Sequence, residues 1–445
     1  MKIHTIGGYD EVGKNMTALE IGEDVLLFDD GLFMPAIVGV EEREKIPTEQ
    51  GMTGLGALPD VDYLVKKGLQ KKVRAILVSH AHLDHIGAIP YNSYRYNANI
   101  YGTPFTTEVL KIIMEDNGQR INNRIIPVKL NSSIVVKGES GNYNVEFVSM
   151  THSTLQCSMI VVQTPEGVVM YANDFKLDNS PVLGERPDYR KFRELSKKGV
   201  KVLIVDCLYA PQDMKTPSEK IAKVLLEDVL FGTENRNSAI IITTFSSHIA
   251  RLKTISEFGK KLGREVIFLG RSLSKYVTAA RNIGQAGFMK NVRMYSYRRQ
   301  VEKAMKMVNK NRARYLVVCT GHQGEPGAIL DRLARDELPL KLKKEDHIIF
   351  SSRTIPTPIN ELAREQLEKR LKKHNVRIFD NVHTSGHGGR EDLRDFLNLI
   401  KPKHVIPSHG DLKKTTAGVT LAEEMGYVRG KNVHLMGDLK SLEVK

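Results

Sequence analysis

Seven consecutive residues, Ser79-His80-Ala81-His82-Leu83-Asp84-His85, constrain this chain more than any other stretch. They set four metal-capable side chains within six positions. The preceding Val73-Arg74-Ala75-Ile76-Leu77-Val78 reads as a buried strand, and the sequence from Gly87 has room for a helix. The cluster therefore falls at the carboxyl end of a strand, where open α/β sheets gather their ligands. His80 and His82 stand two apart and point to one side of an extended stretch. Asp84 and His85 follow as the chain turns, toward a second point in space. That division suits two metals better than one. The alternative is a polar loop with chance histidines, and the spacing is too dense for it.

Similar residues recur at later strand ends. Val145-Glu146-Phe147-Val148-Ser149-Met150 runs into His152. The hairpin formed by Met159 to Gln163 and Val168 to Tyr171 delivers Asp174. Val405-Ile406-Pro407-Ser408 leads into His409. With His80, His82, Asp84 and His85 these make seven ligand candidates. Imidazoles and carboxylates suit zinc, or manganese with its harder preference. Asp174 is placed to bridge two ions, and such a pair activates water for in-line attack at phosphorus.

The first forty residues read as short strands separated by glycine, with a glycine-rich loop from Gly7 to Asn15 that lacks the GK[ST] of a nucleotide loop. Met34 to Pro59 reads as irregular, a length usually reserved for function or an interface. From about Lys201 strands and helices alternate, which predicts a mostly parallel sheet covered by helices. Three scattered cysteines without a CxxC argue against a disulfide framework and fit a reducing cytoplasm. No signal-peptide core and no long apolar run is present, so no membrane span is expected. The formal net charge of +14, spread along the chain, favours polyanions, of which nucleic acid is the common case.

His80-Ala81-His82-Leu83-Asp84-His85 resembles the HxHxDH motif of the metallo-β-lactamase fold, and Asp29, His152 and Asp174 stand where that fold's other motifs fall. Asp206, the segment His383-Thr384-Ser385-Gly386-His387, and His409 resemble the three further motifs of the β-CASP nucleases. Gly7 to Thr17, Thr244 to His248, Thr320 to Pro326 and Pro407 to Gly410 are similar to ribonuclease J. The chain ends soon after Gly437-Asp438-Leu439, so the shorter archaeal form is the expected one. Departures are Asn173, where the family often has Gly, and His322, where Ser is common. The loop after His152 also lacks the usual acid, and Ser351 to Glu361 carries two extra residues.

The resemblance implies an α/β chain: an αββα metallo-β-lactamase core with an inserted β-CASP α/β domain. The core's first part is expected over 1–207, the insert over 208–357, and the return of the core over 358–445. His80, His82 and His152 would hold one Zn2+, and Asp84, His85 and His409 a second, with Asp174 bridging and Mn2+ as the substitute. Asp29 would orient ligating histidines. His387 would be the general acid, oriented by Asp206. Ser351, Ser352, Ser385, Gly386 and His387 would form a pocket for a 5′-monophosphate, although helix capping is the simpler role for either Ser351 or Ser352. The function implied is a zinc-dependent 5′–3′ exoribonuclease acting on single-stranded RNA, with added endonuclease activity. A cytoplasmic homodimer is expected, with Met34–Pro59 facing the second subunit. Rival readings are an internal RNA endonuclease of the mRNA 3′-end-processing type and a non-catalytic RNA-binding protein on the same fold. Chain-length products against mononucleotides separate the first rival. An incomplete ligand set would favour the second.

Overall fold

The computed structural model describes residues 1–37 and 48–444. Two mixed sheets stack face to face. The first runs, edge to edge, Lys440–Glu443, Lys2–Gly7, Met16–Ile21, Asp24–Phe28, Val73–Leu77, Asn99–Gly102 and Ile125–Pro127. The second runs His404–Ser408, Val200–Asp206, Gly167–Ala172, Ser158–Thr164, Asn142–Ser149 and Ser132–Lys137. Alternation in these strands sends Leu26, Phe28, Ala75 and Leu77 of one sheet against Phe147, Ile160, Tyr171 and Ile204 of the other. The Phe28 and Tyr171 rings stack at 4.9 Å between centroids. Helix Pro104–Asp116 covers the outer face of the first sheet. Helices Tyr189–Lys198, Arg390–Ile400 and Leu412–Glu424 cover the second. This is the expected αββα core.

The third sheet is wholly parallel, in the order Val292–Tyr295, Glu265–Leu269, Tyr315–Cys319, Ile240–Thr243, His347–Phe350 and Arg377–Phe379. It is the expected insert, but it holds the chain longer than the sequence suggests. Helix Pro358–Lys372 buries Leu367 and Leu371 against it, and Arg377–Phe379 is its edge strand. The expected return to the core at 358 therefore comes too early, because both elements pack on the third sheet. The core regains the chain with helix Arg390–Ile400 on the second sheet, continues with His404–Ser408, parallel to Val200–Asp206, and closes with Lys440–Glu443, antiparallel to Lys2–Gly7.

Within Met34–Pro59 the structure places a 3-10 turn, Met34–Ile37, and a short helix, Glu49–Gly54. Residues 38–47 of the stretch expected to face a second subunit lie outside the described residues. The insert is joined to the core where helix Arg271–Asn282 packs on Pro104–Asp116. There Tyr276 donates its hydroxyl to the carbonyl of Ala81 at 3.2 Å, inside the histidine cluster. No helix among the described residues is long and apolar enough to cross a membrane.

Candidate metal centre

All seven ligand candidates follow strand ends and converge on one cleft. His80 and His82 follow Val73–Leu77, and Asp84 and His85 sit in the turn of helix Leu83–Ile86. His152, Asp174 and His409 follow strands of the second sheet. The backbone is left-handed at three of the turns around the site, with φ of 56° at Asp29, 57° at Asp174 and 56° at His409. None is glycine; the two Asp residues tolerate this region better than most, and at His409 it costs about 1–2 kcal/mol. Such strain persists where the surroundings over-determine a turn, commonly at functional sites. Gly31 serves close approach instead: a Cβ there would lie 1.7 Å from the carbonyl oxygen of Asp84.

The first group is tight. His82 Nδ1 lies 3.0 Å from His80 Nε2 and 3.1 Å from His152 Nε2. Asp174 Oδ2 lies 3.3 Å from His80 Nε2 and 3.5 Å from His152 Nε2. Donors around a tetrahedral zinc stand about 3.3–3.5 Å apart, so these four atoms already approximate its corners. The second group is looser. Asp174 Oδ1 is 3.2 Å from His85 Nε2 and 3.6 Å from His409 Nδ1. Asp84 Oδ2 is 3.7 Å from His85 Nε2 and 4.0 Å from His409 Nε2. Asp174 thus turns one oxygen to each group, as a bridging ligand would.

Hydrogen bonds on the outer edges fix the rings. His152 Nδ1 donates to the carbonyl of Gly386 at 2.7 Å. A carbonyl only accepts, so Nε2 is left bare and faces the group. Ser79 gives its hydroxyl proton to Asp29 and is 3.0 Å from His80 Nδ1, which leaves His80 Nε2 bare in the same way. His85 Nδ1 meets Asp29 Oδ2 at 2.7 Å. Burial, then the neighbouring charge of His80 or His387, holds the His82 and His152 rings well below the usual imidazole range, in the neutral form a metal needs. Burial works against protonation of His85 as well, but the carboxylates of Asp174, Asp84 and Asp29 outweigh it and hold its pKa well above that range. Cation binding there would displace a proton. Burial likewise opposes ionisation of Asp174, and His409, His85, His387 and His80 overcome it. Asp174 Oδ1 is buried without a hydrogen-bond donor. A carboxylate oxygen buried without a hydrogen bond is costly unless a cation, the His85 imidazolium at 3.2 Å or a metal in its place, meets it. The donor set therefore fits divalent metal ions.

His387 stands beside both groups. Its Nε2 is 3.8 Å from Asp174 Oδ2, and its Nδ1 meets Asp206 Oδ2 at 2.7 Å. Burial lowers its affinity for a proton, but Asp206 and Asp174 more than compensate and raise its pKa to about 9. A ring held protonated, oriented by a carboxylate, is arranged to give a proton away. Of the phosphate-pocket candidates, Ser351 has its hydroxyl committed: it donates to the carbonyl of Val382 at 2.9 Å and accepts from Arg251 at 2.8 Å. Ser352 Oγ is buried with no partner. Ser385 Oγ accepts from the His387 amide at 2.9 Å. Gly386 has no room for a side chain, because a Cβ would lie 2.8 Å from Ser153 and 2.9 Å from His152.

Sequence reasoning gave no role to several residues that hold this site. Ser247 Oγ, from the insert, is 2.9 Å from His82 Nε2. Asn15 spans the second group, its amide 3.0 Å from His85 Nε2 and its oxygen 3.0 Å from His409 Nδ1. Asn173, the departure from Gly, donates to Tyr171 Oη at 2.8 Å and to Asn15 Oδ1 at 3.3 Å, so it stiffens the turn that carries Asp174. His322, by contrast, packs its ring on Phe245 at 4.2 Å between centroids and belongs to neither ligand group. The Asp29 network carries a prediction. Asp29→Asn loses the carboxylate behind His85 and Ser79, and metal affinity is expected to fall about 10–100-fold. Titration against a competing chelator measures it, and an unchanged affinity would remove Asp29 from the site.

Comparison with known proteins bears on this geometry. Residues 9–198 match the metallo-beta-lactamase superfamily, 237–366 the ribonuclease J beta-CASP domain, and 373–436 a Zn-dependent metallo-hydrolase RNA specificity domain. Ribonuclease J of Methanocaldococcus jannaschii is 41% identical, covering 98% of this chain and 97% of that one. Ribonuclease J of Pyrococcus abyssi is 42% identical over 98% and 95%. The chain belongs to the ribonuclease J family. Both of these ribonuclease J relatives are archaeal, and the Helicobacter pylori member is 30% identical but matched over only 61% of its length. A crystal structure from Enterococcus faecalis, of a protein of unknown function, shares the fold over 99% of each chain with a TM-score of 0.67 at 18% identity. Ribonuclease J ancestry and the donor set agree on a metal-dependent phosphodiesterase centre.

Proposed function

We propose that this chain is a two-zinc ribonuclease that degrades single-stranded RNA from a 5′-monophosphorylated end toward the 3′ end, releasing 5′-mononucleotides, and that also cuts internally. One observation carries the reading: two ligand groups share Asp174, and His387 stands against both. Bound there, a pair of divalent cations supplies an activated water and offsets the charge of the phosphodiester. The chain's own residues do the rest. His80, His82 and His152 serve one ion, Asp84, His85 and His409 the other. As water attacks phosphorus and gives up its proton to solvent, the bond to the 3′ oxygen breaks and His387 gives its Nε2 proton to that oxygen. Asp206 accepts from Nδ1 and keeps the ring aimed.

The pocket for the terminal phosphate is proposed at Ser352, Ser385, Gly386 and His387, with Ser351 supporting it. Ser352 supports this reading most directly, because its buried hydroxyl lacks a partner. The net charge of +14 suits a polyanionic substrate. A homodimer and a cytoplasmic location complete the proposal, the latter supported by three free, buried cysteines.

End-labelled RNAs test it. With zinc or manganese present, an RNA bearing a 5′-monophosphate is expected to yield mononucleotides at least about tenfold faster than the same RNA with a 5′-hydroxyl, since the hydroxyl end offers no charge-assisted hydrogen bonds. Equal rates on both, with ladders of longer fragments, would replace this reading by internal cutting.

A further inference from the structure

Arg251 is fully buried in the first turn of helix Ile249–Lys261. Its guanidinium grips Glu219 with both arms, Nε to Oε1 at 2.6 Å and Nη2 to Oε2 at 2.8 Å. The remaining nitrogen, Nη1, donates to the carbonyl and hydroxyl oxygens of Ser351, each at 2.8 Å, and lies 3.3 Å from the carbonyl of Val382. Glu219 is held in turn: its amide donates to Asp178 at 2.8 Å, and Thr384 Oγ1 and His248 Nε2 stand 3.4 Å and 3.3 Å from Oε2. Further along, Thr216 Oγ1 donates to the carbonyl of His387 at 2.8 Å and accepts from the amide of Gly389 at 3.0 Å. The segment 382–389 is therefore gripped at both ends. Ser385, Gly386 and His387 lie between the grips.

A buried ion pair is a poor source of stability. Desolvation offsets most of its Coulomb energy, and apolar residues of like volume serve a core as well or better. What they cannot do is fix several acceptors on separate segments with one planar fork. Here the fork joins the ends of three elements, and two of them carry pocket residues.

We propose that Arg251, braced by Glu219, is a positioning residue for 5′-end recognition: it sets Ser351 and the 382–386 segment so that a terminal phosphate is read. The proposal rests on the 5′-phosphate reading above. It assigns the pair to end selection and leaves phosphodiester hydrolysis as such to the metal groups.

The test uses the full, metal-loaded chain and two variants. Arg251→Met combined with Glu219→Gln removes both charges, so neither is left buried alone. Arg251→Lys keeps the charge and loses the fork. Each is assayed on 5′-monophosphate RNA, the same RNA with a 5′-hydroxyl, and bis(p-nitrophenyl) phosphate, a diester with no end to read. The double variant is expected to lose about tenfold or more of the preference for the monophosphate end, the scale of a few lost charge-assisted hydrogen bonds. Turnover of the small diester and metal content should stay within about twofold, and Arg251→Lys should fall between. A preference unchanged in a folded variant overturns the proposal. So does an equal loss on all three substrates. If the double variant does not fold, Arg251→Lys is judged by the same two criteria. Absence of any end preference in the unaltered chain would instead overturn the 5′-phosphate reading itself.

Discussion

Asp174→Asn is expected to reduce RNA hydrolysis by about a thousandfold or more, on the order of 4 kcal/mol of lost transition-state stabilisation. The amide cannot turn an anionic oxygen to each ligand group, and it removes the charge that His409, His85, His387 and His80 surround. Asparagine tolerates the left-handed backbone at this position, so the fold should survive and the defect should be chemical. Elemental analysis of the purified variant is expected to show lost metal, the looser second group emptying first. A variant that kept both its metal and its rate would end the bridging assignment.

His387→Ala should cost about 10²–10⁴-fold on RNA, the usual worth of a positioned general acid. Its signature is selectivity by leaving group. A departing ribose 3′ oxygen needs a proton, whereas p-nitrophenolate leaves without one. Turnover of bis(p-nitrophenyl) phosphate should therefore change little in the variant, and the metal content not at all. The pH profile gives a second reading. A general acid loses its proton as pH rises through its pKa, so the rate of the unaltered chain should decline on the alkaline side. That limb should vanish in the alanine variant. Equal losses on both diesters, or a retained alkaline limb, would assign His387 to structure.

Much of this was legible in the residues themselves. His80, His82, Asp84 and His85 announce metal chemistry by local spacing, and the alternation after Lys201 announces a parallel sheet. The roles of His387, Asp206 and the pocket came from resemblance rather than from any local rule. What stayed hidden depends on pairs far apart in the chain. Nothing around Asn15 says that it will meet both His85 and His409, and nothing around Ser247 says that it will reach His82. Arg251 reads as one more helical arginine until Ser351 and Val382 fold over it. The end of the insert was misplaced for the same reason. Helix Pro358–Lys372 has no local mark that says which sheet it covers, and the short strand Arg377–Phe379 takes its identity from its neighbour. The left-handed turns at Asp29, Asp174 and His409 also leave no trace in composition.

The closing of the core has a consequence for how such a chain is made. His80 and His82 are translated long before His409 and the strand Lys440–Glu443 that seals the first sheet. Until His409 emerges, the second ligand group is one side chain short. A growing polypeptide is tethered to the very message that encodes it, and this order of assembly delays the complete ligand set until His409 has emerged.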